Sequence, residues 1–251
     1  DRQLTTRPAP GKLIHAYERF ILKSVDRCFI DTVFHKDMLV SDYRLAEDRV
    51  MVIANPIAED IWSSPARSAG KSGVIFWGTY IPLHGIDTII AAARILQDRN
   101  SPIRLRLVGN GQELAKMQEL AGSLKLGNID FITRFIPMPE LKALADESLC
   151  VLGIFSTGRK ADRVIPYKVA QALCAAMPVI TASTTASRDL AGDTGALYLV
   201  PPGDPEALAG AILEVCTNEA TRNTLSLAGR SIYESRLSRK AIASQVIRAF
   251  A

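Results

Sequence analysis

Short apolar runs rich in β-branched residues alternate with helical patterns along most of this chain, and that alternation restricts the folds open to it. Strand-like runs are expected at 27–31, 49–53, 74–77, 103–108, 129–132, 150–155, 179–181 and 196–199. Helical patterns lie between them at 12–25, 32–43, 85–97, 113–124, 139–146, 167–175 and 187–190. Continuous runs such as Val74-Ile75-Phe76-Trp77 suit parallel strands covered on both faces. Strands separated by helices build βαβ units, so the expected class is α/β with a Rossmann-like, doubly wound parallel sheet. Beyond Leu199 the pattern changes. Val200-Pro201-Pro202-Gly203-Asp204-Pro205 reads as a turn into a helix start, and three helices follow at 206–217, 219–235 and 239–250 with no strand among them.

The segment 63–73, Ser-Ser-Pro-Ala-Arg-Ser-Ala-Gly-Lys-Ser-Gly, has the small, charged and breaker residues of a linker. It divides the chain into 1–62, the tail of one Rossmann-like unit, and 74–236, a complete one, with 237–251 as a closing helix. At 251 residues, 48% hydrophobic and 22% charged, the chain has the balance of an ordinary globular protein. A net charge of +4 does not argue for nucleic acid, yet it permits basic patches for phosphorylated small molecules or an anionic membrane face. No apolar run reaches the roughly 18 residues of a membrane helix. The start, DRQLTTRPAPGK, has neither an apolar stretch nor a methionine, and reads as a cut end rather than a signal peptide. Cys28, Cys150, Cys174 and Cys216 sit apart in apolar runs, as small buried hydrophobes in a reducing compartment do. His15, His35 and His84 have no metal-ligand spacing, so no metal site is expected.

One segment carries chemistry. In 157–182, Arg159, Lys160 and Arg163 precede Val164-Ile165-Pro166-Tyr167-Lys168, then an apolar helix, then the strand Val179-Ile180-Thr181. A basic loop entering a helix start is an anion site in an α/β protein, because the first N–H groups and the helix dipole favour negative charge. Pro166 suits a first helical turn, and Lys168 beside it is expected to be an exposed point charge for a phosphate. The alternative is a solvated basic loop before an ordinary helix.

Taken together, Val74–Gly85 (VIFWGTYIPLHG), Leu107–Gly111 (LVGNG), Ala172–Ile180 (ALCAAMPVI) and Val200–Asp204 (VPPGD) resemble, in order and spacing, the donor-nucleotide half of GT-B glycosyltransferases of group 1, the retaining family 4 enzymes. Cys28–Thr32 and Val52–Pro56 resemble the last strands of the acceptor-side domain. The resemblance implies a partial remnant of that N-terminal domain, with most of it missing from the chain. It places Gly78 and Thr79, with His84 and Gly85, around a donor diphosphate; tight backbone turns are the competing explanation for the glycines. The family commonly has Arg and Lys where this chain has Thr79 and His84, which moves the charge to Lys168 and Arg163. The family's paired glutamates fall on Arg163 and Gln171, the latter at the position that holds the donor ribose. Asn110 and Gly111 border the nucleotide, or Asn110 caps a helix. Arg134 and Phe135 lie where the family's loop meets the base, Phe135 itself being expected in the core.

What the resemblance implies is transfer of a sugar from a nucleotide-diphosphate donor to an acceptor hydroxyl with retention, without metal or other cofactor, in surface polysaccharide or glycolipid synthesis. Lys168 and Arg163 would meet the leaving-group charge. The expected partners are the nucleotide-sugar donor, a saccharide or lipid-linked acceptor and the missing N-terminal domain, in the cytoplasm and peripherally at the inner membrane face. This fragment alone is expected to be inactive. A non-catalytic nucleotide-sugar-binding module, and a GT-B-like epimerase or phosphorylase, remain as alternatives.

Overall fold

The computed structural model describes residues 8–64 and 70–250; residues 1–7, most of the expected cut end, and 65–69, the middle of the expected linker, lie outside the described residues, as does 251. Among the described residues eleven α-helices and eight strands run in the order α1 (Pro8–Ser24), β1 (Cys28–Ile30), α2 (Val33–Tyr43), β2 (Val50–Val52), α3 (Glu59–Trp62), β3 (Val74–Trp77), α4 (Ile86–Asp98), β4 (Leu105–Val108), α5 (Leu114–Ser123), β5 (Ile129–Ile132), α6 (Met138–Asp146), β6 (Cys150–Leu152), α7 (Tyr167–Cys174), β7 (Val179–Ala182), α8 (Thr185–Ala191), β8 (Tyr198–Val200), α9 (Pro205–Thr217), α10 (Glu219–Ile232) and α11 (Arg239–Phe250). Each of the eight expected strand runs contains a strand: 74–77 and 129–132 keep their expected bounds, 179–181 extends by one residue, 196–199 shifts to 198–200, and the other four are trimmed. A π-helical turn, Tyr233–Leu237, splits the expected helix 219–235.

Strands β3 to β8 form one parallel sheet in the order β5-β4-β3-β6-β7-β8. β3 and β6 are the central neighbours. The chain leaves β3 toward β4 on one side and β6 toward β7 on the other, so a crevice opens above their carboxyl ends. The alternation of β3 serves two cores. Val74 and Phe76 join α4 and α9 on one face, whereas Ile75 and Trp77 join α7 on the other. α4 follows from its apolar spacing: Ile86, Ile89, Ile90, Ala93 and Leu96 are all buried along one stripe. Each buried isoleucine there contributes roughly 1.5–3 kcal/mol relative to exposure. α9 begins as its sequence dictates, with the Asp204 carboxylate accepting from Ala207 N–H at 2.9 Å and Pro205 at the first helical position.

Strands β1 and β2 pair in parallel around α2, a βαβ unit with a small core of Leu39, Leu45 and Val50. α11 reaches back to this unit. Gln245 Oε1 accepts from Ala54 N–H at 3.0 Å, and the Phe250 ring lies 5.8 Å from that of Phe29. The boundary expected at residue 62 sits inside a packed contact. Trp62 of α3 is fully buried and stacks on Trp77 at 5.2 Å with 16° between the planes. A large indole covering the end of β3 makes α3 part of the second core.

Candidate functional site

Three turns converge at the carboxyl ends of the central strands. After β3, Gly78 (φ 151°) donates its N–H to Val108 O at 3.0 Å. Gly109 packs directly on Gly78 O, where a Cβ has no room. Gly111 lies against the backbone of Tyr80, and its N–H donates to Asn110 Oδ1 at 2.7 Å. Gly85 (φ 63°) closes the 82–84 turn and starts α4; a Cβ there would stand 2.5 Å from Ser156 N. The turns need these glycines, as expected, and the resulting close backbone approach shapes the crevice.

Lys168 occupies the centre. It is the second residue of α7, behind Pro166 as helix cap. The exposed lysine expected from the sequence is instead buried, with 4% of its surface accessible. Its Nζ lies 3.6 Å from the Phe76 ring centroid, donates to Gly153 O at 3.3 Å, and is 3.3 Å from where a Cβ on Gly78 would stand. The reason is topological. α7 packs over β3 and β6, so its first turn presents the side chain to the gap between Gly78 and Gly153. Among the described residues no carboxylate pairs with it. Burial drives its pKa well below the ordinary lysine value, since a charge taken out of water without a counterion is disfavoured.

His84 stands beside it. Its Nδ1 is 2.6 Å from Thr79 O, so this nitrogen carries the proton and Nε2 is left as an acceptor. Its ring meets Phe76 edge-on at 5.5 Å. Burial, then the neighbouring Lys168, lower its pKa to about 3. The imidazole is therefore neutral near pH 7, and Thr79 adds an exposed hydroxyl rather than a charge.

The remaining expected residues are dispersed. Gln171 is 2% exposed; its Oε1 accepts from Trp77 Nε1–H at 2.8 Å, and its Nε2 lies 3.5 Å from Met138 Sδ. Its amide is thus committed beneath the crevice. Arg163 ends a short 3-10 turn, and its carbonyl accepts from Thr32 Oγ1 at 2.5 Å, while among the described residues no carboxylate lies within ion-pair distance of its guanidinium. Arg163 and Arg159 line a cavity of ≈ 520 Å³ with Ser156, Thr157, Gly158, Asp162, Thr184 and Pro202. Arg134 is engaged by Glu140 and by Phe135 O. Phe135, expected in the core, is 88% exposed, because β5 is the sheet edge and the loop after it has no neighbour to cover it. Asn110 is exposed and serves Gly111. Sequence reading missed Phe76 and Gly153 as the walls of the lysine pocket. Their signal would have been the adjacency of β3 and β6, which periodicity does not carry.

A sequence profile described as glycosyl transferases group 1 matches residues 59–232. The amylovoran biosynthesis glycosyltransferase AmsK of Erwinia amylovora is 26% identical over 152 residues, covering 60% of this chain and 37% of that protein. The phosphatidyl-myo-inositol mannosyltransferase of Mycobacterium leprae is 27% identical over 203 residues, covering 79% and 52%. Thus the chain spans about half the length, or less, of these curated relatives. Among solved structures, the Anabaena protein Alr3699/HepE in complex with UDP-glucose superimposes with a TM-score of 0.79 at 15% identity, over 96% of this chain and 69% of that one.

Proposed function

The chain belongs to the group 1 glycosyl transferases, and we propose that it is the donor-binding half of an enzyme that moves a sugar from a nucleotide-diphosphate donor to an acceptor hydroxyl with retention. The observation that carries this reading is Lys168, a buried amine without a carboxylate at the switch point of a parallel sheet. Such a group suits an anion. A donor diphosphate supplies the missing charge there and favours the protonated amine, which then stabilises the leaving nucleotide. Arg163 shares that charge from the neighbouring loop. Thr79, His84, Gly78 and Gly85 shape the turn around the diphosphate. Asn110, Gly111 and Arg134 border the nucleoside at the β4 and β5 ends. Gln171 acts through Trp77, holding the strand end from which Gly78 departs.

The acceptor side belongs to the rest of an N-terminal domain. Two observations support this: the relatives are longer, and the first unit leaves Leu13, Tyr17 and Phe20 of α1 and Phe29 of β1 largely exposed. Surface polysaccharide or glycolipid synthesis, in the cytoplasm at the inner membrane face, is the setting proposed from the relatives' names. Among the described residues no helix is long and apolar enough to cross a membrane. The reading is tested by calorimetric titration of UDP and GDP, with and without EDTA, together with sugar-transfer assays of this chain and of a full-length relative form. Diphosphate binding that persists in EDTA, without turnover by this chain alone, is expected. Absence of binding by either nucleotide refutes the donor-site assignment.

A further inference from the structure

The cavity beside the lysine pocket carries more positive charge than a neutral sugar calls for. Its lining carries two guanidiniums, Arg159 and Arg163, and one carboxylate, Asp162. That carboxylate is already engaged: Oδ1 accepts from Thr185 N–H at 2.7 Å and Oδ2 from Thr185 Oγ1 at 2.8 Å. Neither arginine lies within ion-pair distance of a carboxylate among the described residues, although Arg188 and Arg163 act on Asp162 through space. Lys160 adds a third cation in the same exposed loop. Guanidinium is a planar five-donor group suited to carboxylate or phosphate, and it accepts no hydrogen bond from a sugar hydroxyl.

The cavity is also in the right place. Ser156 is shared between its wall and the contact with Gly85, so it begins where the diphosphate corner ends. Its other wall is the Pro202–Gly203 turn, fixed by Gly203 N–H donating to Phe155 O at 2.8 Å. The Thr32 hydroxyl donates to the Arg163 carbonyl and so ties this loop to the first unit. At ≈ 520 Å³ it falls within the roughly 300–1,000 Å³ of small-molecule sites.

We propose that this cavity takes a second anionic group, a carboxylate or a phosphate, carried by the transferred sugar or by the acceptor. The proposal rests on the donor-site reading above. Its test is calorimetry on the chain as it exists, with UDP, UDP-glucose and UDP-glucuronate, or the guanosine series if GDP is the nucleotide that binds. If the donor sugar bears the charge, UDP-glucuronate binds at least tenfold more tightly than UDP-glucose, and this ratio falls toward one in Arg159→Ala/Arg163→Ala. If the acceptor bears it, inorganic phosphate raises the melting temperature of the UDP-saturated parent and not of the UDP-saturated double variant. A uronate-to-glucose ratio near one together with no phosphate effect, while nucleotide still binds, overturns the second anion site alone. Failure of every nucleotide to bind removes the donor site and this proposal with it.

Discussion

Two lysines in this protein are buried equally, and only one of them has brought its own counterion. Lys142 on α6 and Lys168 on α7 each keep 4% of their surface accessible. Lys142 Nζ donates to both oxygens of Asp146, at 2.6 and 2.7 Å, and to Ser64 O at 3.3 Å. Lys168 has a carbonyl and an aromatic face. Burial of a charge is tolerated when a partner compensates the lost hydration. The Lys142 pair is complete and reads as structure. The Lys168 pocket is incomplete and reads as a binding site held ready at some cost to stability.

The largest effect should separate the two directly. Lys142→Met leaves Asp146 buried without its cation and is expected to destabilise by about 3–5 kcal/mol. Lys168→Met removes an uncompensated cation and should leave stability unchanged or raise it. Urea unfolding of both variants reads this, and equal destabilisation would break the comparison. Next in size is binding. Lys168→Ala should weaken nucleoside diphosphate affinity by about 1.5–3 kcal/mol, the worth of a hydrogen bond to a charged group, while a nucleoside without phosphate is barely affected. Lys142 variants that still fold should bind as the parent does.

A pH series sharpens the contrast. The folded-state pKa of Lys168 is depressed by burial, so over the interval between that value and the ordinary lysine value the unfolded chain holds a proton that the folded one lacks. Stability of the ligand-free protein should rise with pH there, by at most about 1.4 kcal/mol per pH unit. The rise should vanish in Lys168→Met. His84, whose pKa is lowered to about 3, adds a rise of the same sign between about 3 and its ordinary value. A stability curve for the parent that coincides with that of Lys168→Met over that Lys168 interval would show the amine to be charged when free. The smallest effect is a control at the other end of α7. Ala176 holds φ 51° at an exposed position after the helix, a conformation that costs an L-residue roughly 1–2 kcal/mol. Ala176→Gly should stabilise by about 0.5–1 kcal/mol, less than the full strain because glycine loses more freedom on folding, and should leave diphosphate binding alone. A change in affinity would mean that helix stability and the site are coupled.

Much of this was legible in the chain. The strands announced themselves because parallel strands buried on both faces need unbroken apolar runs, as Val74–Trp77 shows. The helix start at Asp204-Pro205 was legible because capping is a local affair of side chain and nearby N–H. The start of α7 behind Pro166 was legible for the same reason. The environments of Lys168, Gln171 and Phe135 were not. Lys168 looked like surface because it is charged and stands at a helix start. Gln171 matched a ribose-binding position, yet its amide meets an indole ninety-four positions away in sequence. Phe135 looked like core because it is apolar and follows a strand.

The sequence by itself determined the element types, the parallel character of the sheet and the turns at Gly78, Gly85, Gly109 and Gly111, all of which depend on side-chain period and on the freedom of single residues. Tertiary structure alone decided which strands are neighbours. By setting β3 beside β6 it enclosed Lys168 between Phe76 and Gly153, and by leaving β5 at the edge it exposed Phe135. Burial and counterion supply are properties of what packs around a group, and what packs around it is set by contacts distant in sequence.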